Sequence, residues 1–181
     1  MSDWIDAEGF RANVGIVLMR DNGEVFLGQR AGGRGWQFPQ GGVRQGEPIE
    51  AALFRELQEE IGLERHHVTL AGSTSDWIRY KLPKRYVRRG RGPVCIGQKQ
   101  RWYLLKLAIP EGAVEFKFTH TDEPEFEGWR WANYWEPVRE VIYFKRPVYV
   151  QMLTELSVVA FPSGAPAFPS WWQAELAAVD E

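Results

Sequence analysis

The chain has 181 residues, is 44% hydrophobic and 25% charged, and carries a formal net charge of −2. That length suits one domain with a real core and excludes two full-sized ones, and the near-neutral balance means that any electrostatic signal for a partner must be local. A single cysteine, Cys95, excludes an internal disulfide and a cysteine metal cluster, and fits a reducing compartment.

The opening "MSDWIDAEGF" lacks the basic start and apolar stretch of a signal peptide. No apolar run approaches the roughly 20 residues that a membrane helix needs, so a soluble, cytoplasmic protein is expected. "NVGIVLMR" (Asn13 to Arg20) is β-branched and apolar, as a buried strand requires. "DNGE" is a turn signal and "VFLGQR" the returning strand, which together predict a hairpin. "AGGRG" is a loop, and "WQFPQGG" starts extended because Phe38 precedes a proline. A helical pattern runs from Pro48 to about Ile61, with Gly62 placed to cap its C-terminus.

Beyond this helix, "HVTLAGS", "SDWIRY", "RWYLLKLAI" and "EGWRWAN" read as strands. The stretch Lys81 to Gln100 between them reads as a glycine-rich basic connection, and Gly90, Gly92 and Pro93 suggest a mobile arm. "YWEPVREVI" and "PVYVQMLTELSVVAF" read as helices, the second with an apolar stripe of Val148, Met152, Leu153, Leu156 and Val159. "PSGAPAFPS" has the composition of a linker or tail, and the last residues can form a short helix. The expected division is a folded domain over 1–161 and a partly flexible tail over 162–181.

The segment "GGVRQGEPIEAALFRELQEEIGL" poses a physical problem. At 100° per residue, Glu56, Glu59 and Glu60 share one face of the helix, while Leu53, Leu57 and Ile61 form an adjacent apolar stripe. Exposed like-charge pairs at these spacings cost a few tenths of a kcal/mol each, roughly. Arg55 stands four residues before Glu59 and can pair with it. A divalent cation would offset the remaining repulsion, and Mg²⁺ prefers hard oxygen ligands shared with phosphates. Gly41 and Gly42 precede the helix, where bare backbone N–H groups can approach an anion. The plainer alternative is a solvated acidic face.

Gly41, Glu47 and "RELQEEIGL" resemble the Nudix box position by position: Gly41, Glu47, Arg55, Glu56, Leu57, Glu59, Glu60, Gly62 and Leu63 each fall on a specified site. The resemblance implies an α/β class fold, an α/β/α sandwich around a mixed β-sheet. It also implies Mg²⁺-dependent hydrolysis of phosphoanhydride bonds, with Mn²⁺ a possible substitute. "RANVGIV", "WQFPQGG", "RYKLPKR", "PVCIGQKQRWYLL", "PEFEGWRW" and "FKR" are similar to the bacterial RNA pyrophosphohydrolases, historically grouped with dinucleoside polyphosphate hydrolases.

That similarity implies a catalytic set of Arg55, Glu56, Glu59 and Glu60. The implied metal site is Glu56, Glu59, Glu60, Glu125 and Gly41. The substrate residues are Arg11, Arg30, Gln40, Lys84, Arg85, Phe144 and Lys145. Arg30 and Phe144 would flank the first base and Lys145 would lie near the phosphates, although on sequence alone Phe144 reads as core rather than as a stacking platform. Gln40 would contact substrate or a water at the metal, or satisfy a turn. Which glutamate takes a proton is left open by the spacing. The implied partners are 5′-triphosphorylated RNA or nucleoside polyphosphates, with no membrane and no protein partner specified.

The residues independently support an anionic partner. From Arg79 to Arg101 the chain carries Arg79, Lys81, Lys84, Arg85, Arg88, Arg89, Arg91, Lys99 and Arg101 with no Asp or Glu, a local patch suited to phosphate. Its bland alternative is a solvated loop. Two rival functions remain: hydrolysis of dinucleoside polyphosphates at the same metal site, and a non-catalytic RNA- or protein-binding module. His66, His67 and His120 lack partners for catalysis, Cys95 reads as a buried small hydrophobe, and Trp129, Trp131 and Trp135 read as packing residues. Asp122, Glu123 and Glu127 read as solvated. Unlike relatives with a basic C-terminal tail, this chain ends in "WWQAELAAVDE", which argues against a tail-assisted grip on RNA.

Overall fold

Strand β1 (Phe10–Met19) sends alternate side chains to opposite faces, and both faces are buried. Ala12, Val14, Ile16 and Leu18 enter one apolar core, while Val17 and Met19 enter a second. Two-sided burial explains why the strand reads as a continuous apolar run. These elements come from a computed structural model that describes residues 2–87, 92, 94–118 and 122–179. Its other strands are β2 (Val25–Arg30), β3 (Trp36–Gln37), β4 (Gln40–Gly42), β5 (Val68–Ser73), β6 (Ile78–Lys81), β7 (Gly97–Leu107) and β8 (Phe126–Ala132). The helices are α1 (Ile49–Ile61), α2 (Pro137–Glu140), α3 (Arg146–Ala160) and α4 (Trp172–Val179).

The sheet is mixed. β1 and β7 run parallel from Phe10↔Gly97 to Met19↔Lys106, and the other pairings are antiparallel. The expected hairpin closes at Met19↔Val25. Helix α1 covers one face through Ala52, Leu53, Leu57 and Ile61. On the other face α3 contributes Val148, Tyr149, Met152, Leu153 and Leu156, with α2 beside it through Val138. The result is the expected α/β/α sandwich. α1 ends where Gly62 adopts φ 75°, a left-handed conformation that glycine reaches without a Cβ penalty.

Several expectations are corrected. Val159 is 41% exposed, and Tyr149 and Ala160 complete the buried stripe in its place. The helix expected over "YWEPVREVI" is only Pro137–Glu140, because Val141 turns extended (φ −77°, ψ 155°) before a single helical turn at Tyr143–Lys145. The basic connection is shorter than Lys81 to Gln100: Lys81 belongs to β6, and Gly97 to Gln100 begin β7. Cys95 is half-buried, its thiol 3.1 Å from the Gly97 carbonyl. The tryptophans are packing residues as expected, Trp135 in the core and Trp129, though 40% exposed, stacked on Phe26. The mobile-arm reading falls on Arg88 to Arg91 and Pro93, which lie outside the described residues, as does His120. Among the described residues no helix is long and apolar enough to cross a membrane.

The centre of the sheet has no spare room. Gly15 stands opposite Trp102 in the β1–β7 register, and a Cβ there would overlap the indole ring. That ring is fully buried against Phe38 and Tyr149. Gly15→Ala is expected to destabilise the fold by about 2 kcal/mol through overpacking. The melting temperature should fall by roughly 4 to 8 °C. An unchanged thermal melt would show that the ring can move aside.

Candidate active site

β4 pairs with β1 at Asn13↔Gly42, Val14↔Gly41 and Gly15↔Gln40, and the two glycines lie against α1 at Glu56 and Arg55. A Cβ at Gly41 would overlap the Glu56 carboxyl group, and one at Gly42 would overlap the Arg11 guanidinium. The glycines therefore leave the space in which these two side chains meet the strand.

Arg55 holds the acidic face together. Its Nε donates to Glu47 Oε2 at 2.9 Å and its Nη2 to Glu47 Oε1 at 2.8 Å, a bidentate fork. Nη1 donates to Glu56 at 2.7 Å and Glu59 at 3.3 Å, and Nη2 also reaches the Gly42 carbonyl at 2.8 Å. The expected Arg55–Glu59 pair is present, but it is the longest contact of the set. Hydrogen bonding from Arg55 holds the Glu47 carboxyl below its ordinary value, and the same bonds raise the guanidinium further above neutrality.

Glu56 and Glu60 behave in the opposite way. Glu56 is only 8% exposed, and loss of hydration raises its pKa against the pull of Arg55. Glu60 is raised well above the carboxylate range, first by desolvation and then by the charges of Glu56 and Glu125. It accepts a hydrogen bond from the Gln40 N–H at 3.3 Å. Glu59, with 42% of its side chain exposed, stays at the solvent edge. Among the described residues no three acidic, histidine or cysteine side chains already form a closed metal cage. Arg55 instead holds oxygens of both Glu56 and Glu59.

Glu125 arrives from the approach to β8. Its Oε1 accepts from Arg30 Nε and Gln37 Nε2, each at 3.3 Å. Lys145, 7% exposed, donates from Nζ to Gln37 Oε1 at 3.2 Å. Burial, reinforced by repulsion from Arg30, lowers its pKa to about 8. Arg11 pairs with Asp3 at 3.1 Å, while its buried Nε has no hydrogen-bond acceptor among the described residues. The expected metal residues Glu56, Glu59, Glu60 and Glu125 thus come within electrostatic reach of one another and of Arg11, Arg30, Gln40 and Lys145.

Phe144, Lys84 and Arg85 lie further out. Phe144 is half-buried and packs on Tyr80 and Tyr86, at 6.0 and 5.4 Å between ring centroids. Exposed Arg85 donates to the Tyr143 hydroxyl at 3.2 Å and lies 4.9 Å from the Tyr86 ring centre. Lys99 departs from its expected place in the phosphate-attracting patch. It is 6% exposed, paired with Asp6 at 3.1 Å and flanked by the Trp4 and Trp77 rings. It is inaccessible to a polyanion, because an inward position on β7 buries it.

Sequence reasoning passed over a second layer of polar side chains. Gln100 Nε2 donates to Asn13 Oδ1 at 2.8 Å and to Gln40 Oε1 at 3.1 Å, and both Asn13 and Gln100 are 1% exposed. Gln37 links Lys145 to Glu125, and the Tyr149 hydroxyl accepts from the Phe38 N–H at 3.0 Å. Polar residues at inward positions of apolar strands were the available signal, since a buried amide must find partners.

The chain matches the NUDIX domain family over residues 9–153. It is 53% identical over 158 residues to the RNA pyrophosphohydrolase of Pseudoalteromonas translucida (strain TAC 125), covering 87% of this chain and 91% of that one. It is 51% identical over 163 residues to the RNA pyrophosphohydrolase of Methylococcus capsulatus (strain ATCC 33009 / NCIMB 11132 / Bath), covering 90% and 84%. The E. coli dihydroneopterin triphosphate pyrophosphohydrolase superposes with a TM-score of 0.61 at 19% identity, covering 80% of this chain and 95% of that one. A C. elegans Ap4A hydrolase superposes with a TM-score of 0.55, also at 19% identity, covering 80% and 96%. Matching this domain over residues 9–153 and sharing 51–53% of the aligned residues with the two RNA pyrophosphohydrolases, the chain belongs to the Nudix family.

Proposed function

We propose that the protein is a cytoplasmic Mg²⁺-dependent RNA pyrophosphohydrolase. It removes pyrophosphate from the 5′-triphosphate end of RNA, leaving a 5′-monophosphate that primes decay. The observation that carries the reading is the pair of desolvated carboxylates, Glu56 and Glu60, held beside Gly41 in a chain 51–53% identical to proteins of that name.

The donor set fits a hard divalent cation. It is all oxygen, and Glu60 is repelled by both Glu56 and Glu125. Glu56, Glu59, Glu60 and Glu125 would hold the ion with the backbone at Gly41. When bound, the cation neutralises polyphosphate charge and acidifies water. Arg55 keeps Glu56 and Glu59 oriented. Glu59, at the solvent edge, accepts a proton from the attacking water. Arg11, Arg30 and Lys145 supply positive charge around the phosphates, Gln40 orients polar groups, and Phe144 offers a ring face to the first base. Lys84 and Arg85 contact the following backbone. Catalysis is then chiefly positioning and charge neutralisation.

Glu56→Gln or Glu60→Gln is expected to lower kcat at least about a hundredfold, on the scale of losing a positioned acid–base or ligand group. The thermal melt should be retained. Full activity in both variants would contradict the site. A kcat/KM comparison between triphosphorylated RNA and a dinucleoside polyphosphate checks the substrate, and a large preference for the dinucleotide would overturn it.

The raised carboxyls also give a pH dependence. Their folded values lie above the unfolded value near 4.5, so the stability they contribute is present below that value and is lost as pH rises through the folded values. Glu47, held low, changes its contribution only as pH falls below its ordinary range, and Lys145, at about 8, stays largely protonated below neutrality. Metal-free protein should therefore lose stability as pH rises above the ordinary carboxylate value toward neutrality, and of two pH values in that range Mg²⁺ should raise the melting temperature more at the higher. Equal Mg²⁺ shifts at both values would count against these ligands. Replacing Lys84 and Arg85 by Ser should lower the salt slope of RNA binding by roughly 1.4, about 0.7 for each single-strand phosphate contact, whereas an unchanged slope would leave both outside the contact.

A further inference from the structure

The family match ends at residue 153, yet the chain beyond it is packed onto the domain. Trp172 is 3% exposed and enters the same core as α2 and α3. It stacks on Phe168 at 4.8 Å and 17° and lies 5.0 Å from Trp135, whose Nε1 donates to the Pro166 carbonyl at 2.8 Å. These contacts fix the direction of α4. One turn on, Glu175 Oε2 lies 3.6 Å from Arg146 Nη1, with only 17% of the Glu175 side chain exposed.

Arg146 occupies a junction. Its Nη2 reaches the Arg139 carbonyl and its Nε the Val141 carbonyl, each at 3.4 Å, so one guanidinium ties the end of α2 to the start of α3. The chain between those points carries Phe144 and Lys145, and Lys145 is adjacent to Arg146. Lys145 in turn reaches Glu125 through Gln37. The connection lacks a regular helix of its own, since Val141 is extended and Tyr143–Lys145 make a single turn.

We infer that α4 is a positioning element for the Phe144–Lys145 segment, acting from behind the site through the Glu175–Arg146 ion pair. It touches no substrate. Trp172 anchors the helix, Glu175 holds the guanidinium, and the guanidinium holds the Arg139 and Val141 carbonyls, so that the substrate-facing segment is strung between Val141 and Arg146 itself. The effect on RNA rests on the proposed reading of Phe144 and Lys145, while the effect on the segment itself does not.

Two measurements on the full chain separate these links. Glu175→Lys places a positive charge against Arg146, and Ala174→Lys adds one at an exposed neighbouring position as a control. Hydrogen exchange of residues 141–149 should quicken about threefold or more in Glu175→Lys, the scale of a lost partly exposed ion pair plus like-charge repulsion. KM for triphosphorylated RNA should rise by a similar factor with kcat within about twofold. Ala174→Lys should change neither, and Glu175→Asp should restore both. The inference is overturned if exchange in 141–149 is unchanged, if the control matches Glu175→Lys, or if exchange quickens while KM stays fixed, which would make the pair a mere strut. Should the wild-type protein turn over no triphosphorylated RNA, the substrate reading fails, while faster exchange confined to 141–149 still supports the brace.

Discussion

Four carboxylates, Glu47, Glu56, Glu59 and Glu60, crowd the start and one face of α1, and the site depends on how the fold holds them there. Arg55 supplies most of the answer, with five donor contacts spread over Glu47, Glu56, Glu59 and the Gly42 carbonyl. Its planar fork suits this task where a lysine would offer a single point charge. The arginine leaves Glu60 unneutralised, so the fold retains a local excess of negative charge where the desolvated carboxyls face Glu125. A cation bound there would offset that repulsion, so the proposed metal site depends on the geometry of a single helix.

The helix can hold that posture because the sheet beneath it is rigid. β1 and β7 run side by side over ten paired positions, with both faces covered. β4 is paired to the middle of β1, so Gly41 and Gly42 are fixed relative to the core. The site thus sits on a strand edge and a helix that share one apolar layer. Behind it, Asn13, Gln100 and Gln40 form a buried amide chain, and Gln37 joins Lys145 to Glu125. These amides convert a set of charged side chains into a connected network with little freedom to drift.

Much of the frame was legible from the residues. The hairpin, the extent of α1 and its glycine cap follow from local chemistry, because β-branched runs, turn residues and 3.6-residue periodicity act over short distances. The carboxylate face was legible for the same reason, as was its resemblance to a known motif. Less visible were features that need two distant segments. Val159 fits the stripe of α3 by period, yet lies at the edge of the covered face. Lys99 counts as one more basic residue in a list and is in fact buried between Trp4 and Trp77. The tail reads as a linker by composition, but Trp172 finds a slot beside Trp135.

By itself the sequence determined which residues carry charge on α1, the period of the apolar positions along each element, and where the chain turns, since these depend on spacing along one segment. Tertiary structure alone decided that partial burial and neighbouring carboxylates raise the pKa of Glu60, that Gln37 stands between Lys145 and Glu125, and that Glu175 meets Arg146. Hydration and ion pairing are set by what surrounds a group in space, and residues far apart in the chain supply those surroundings.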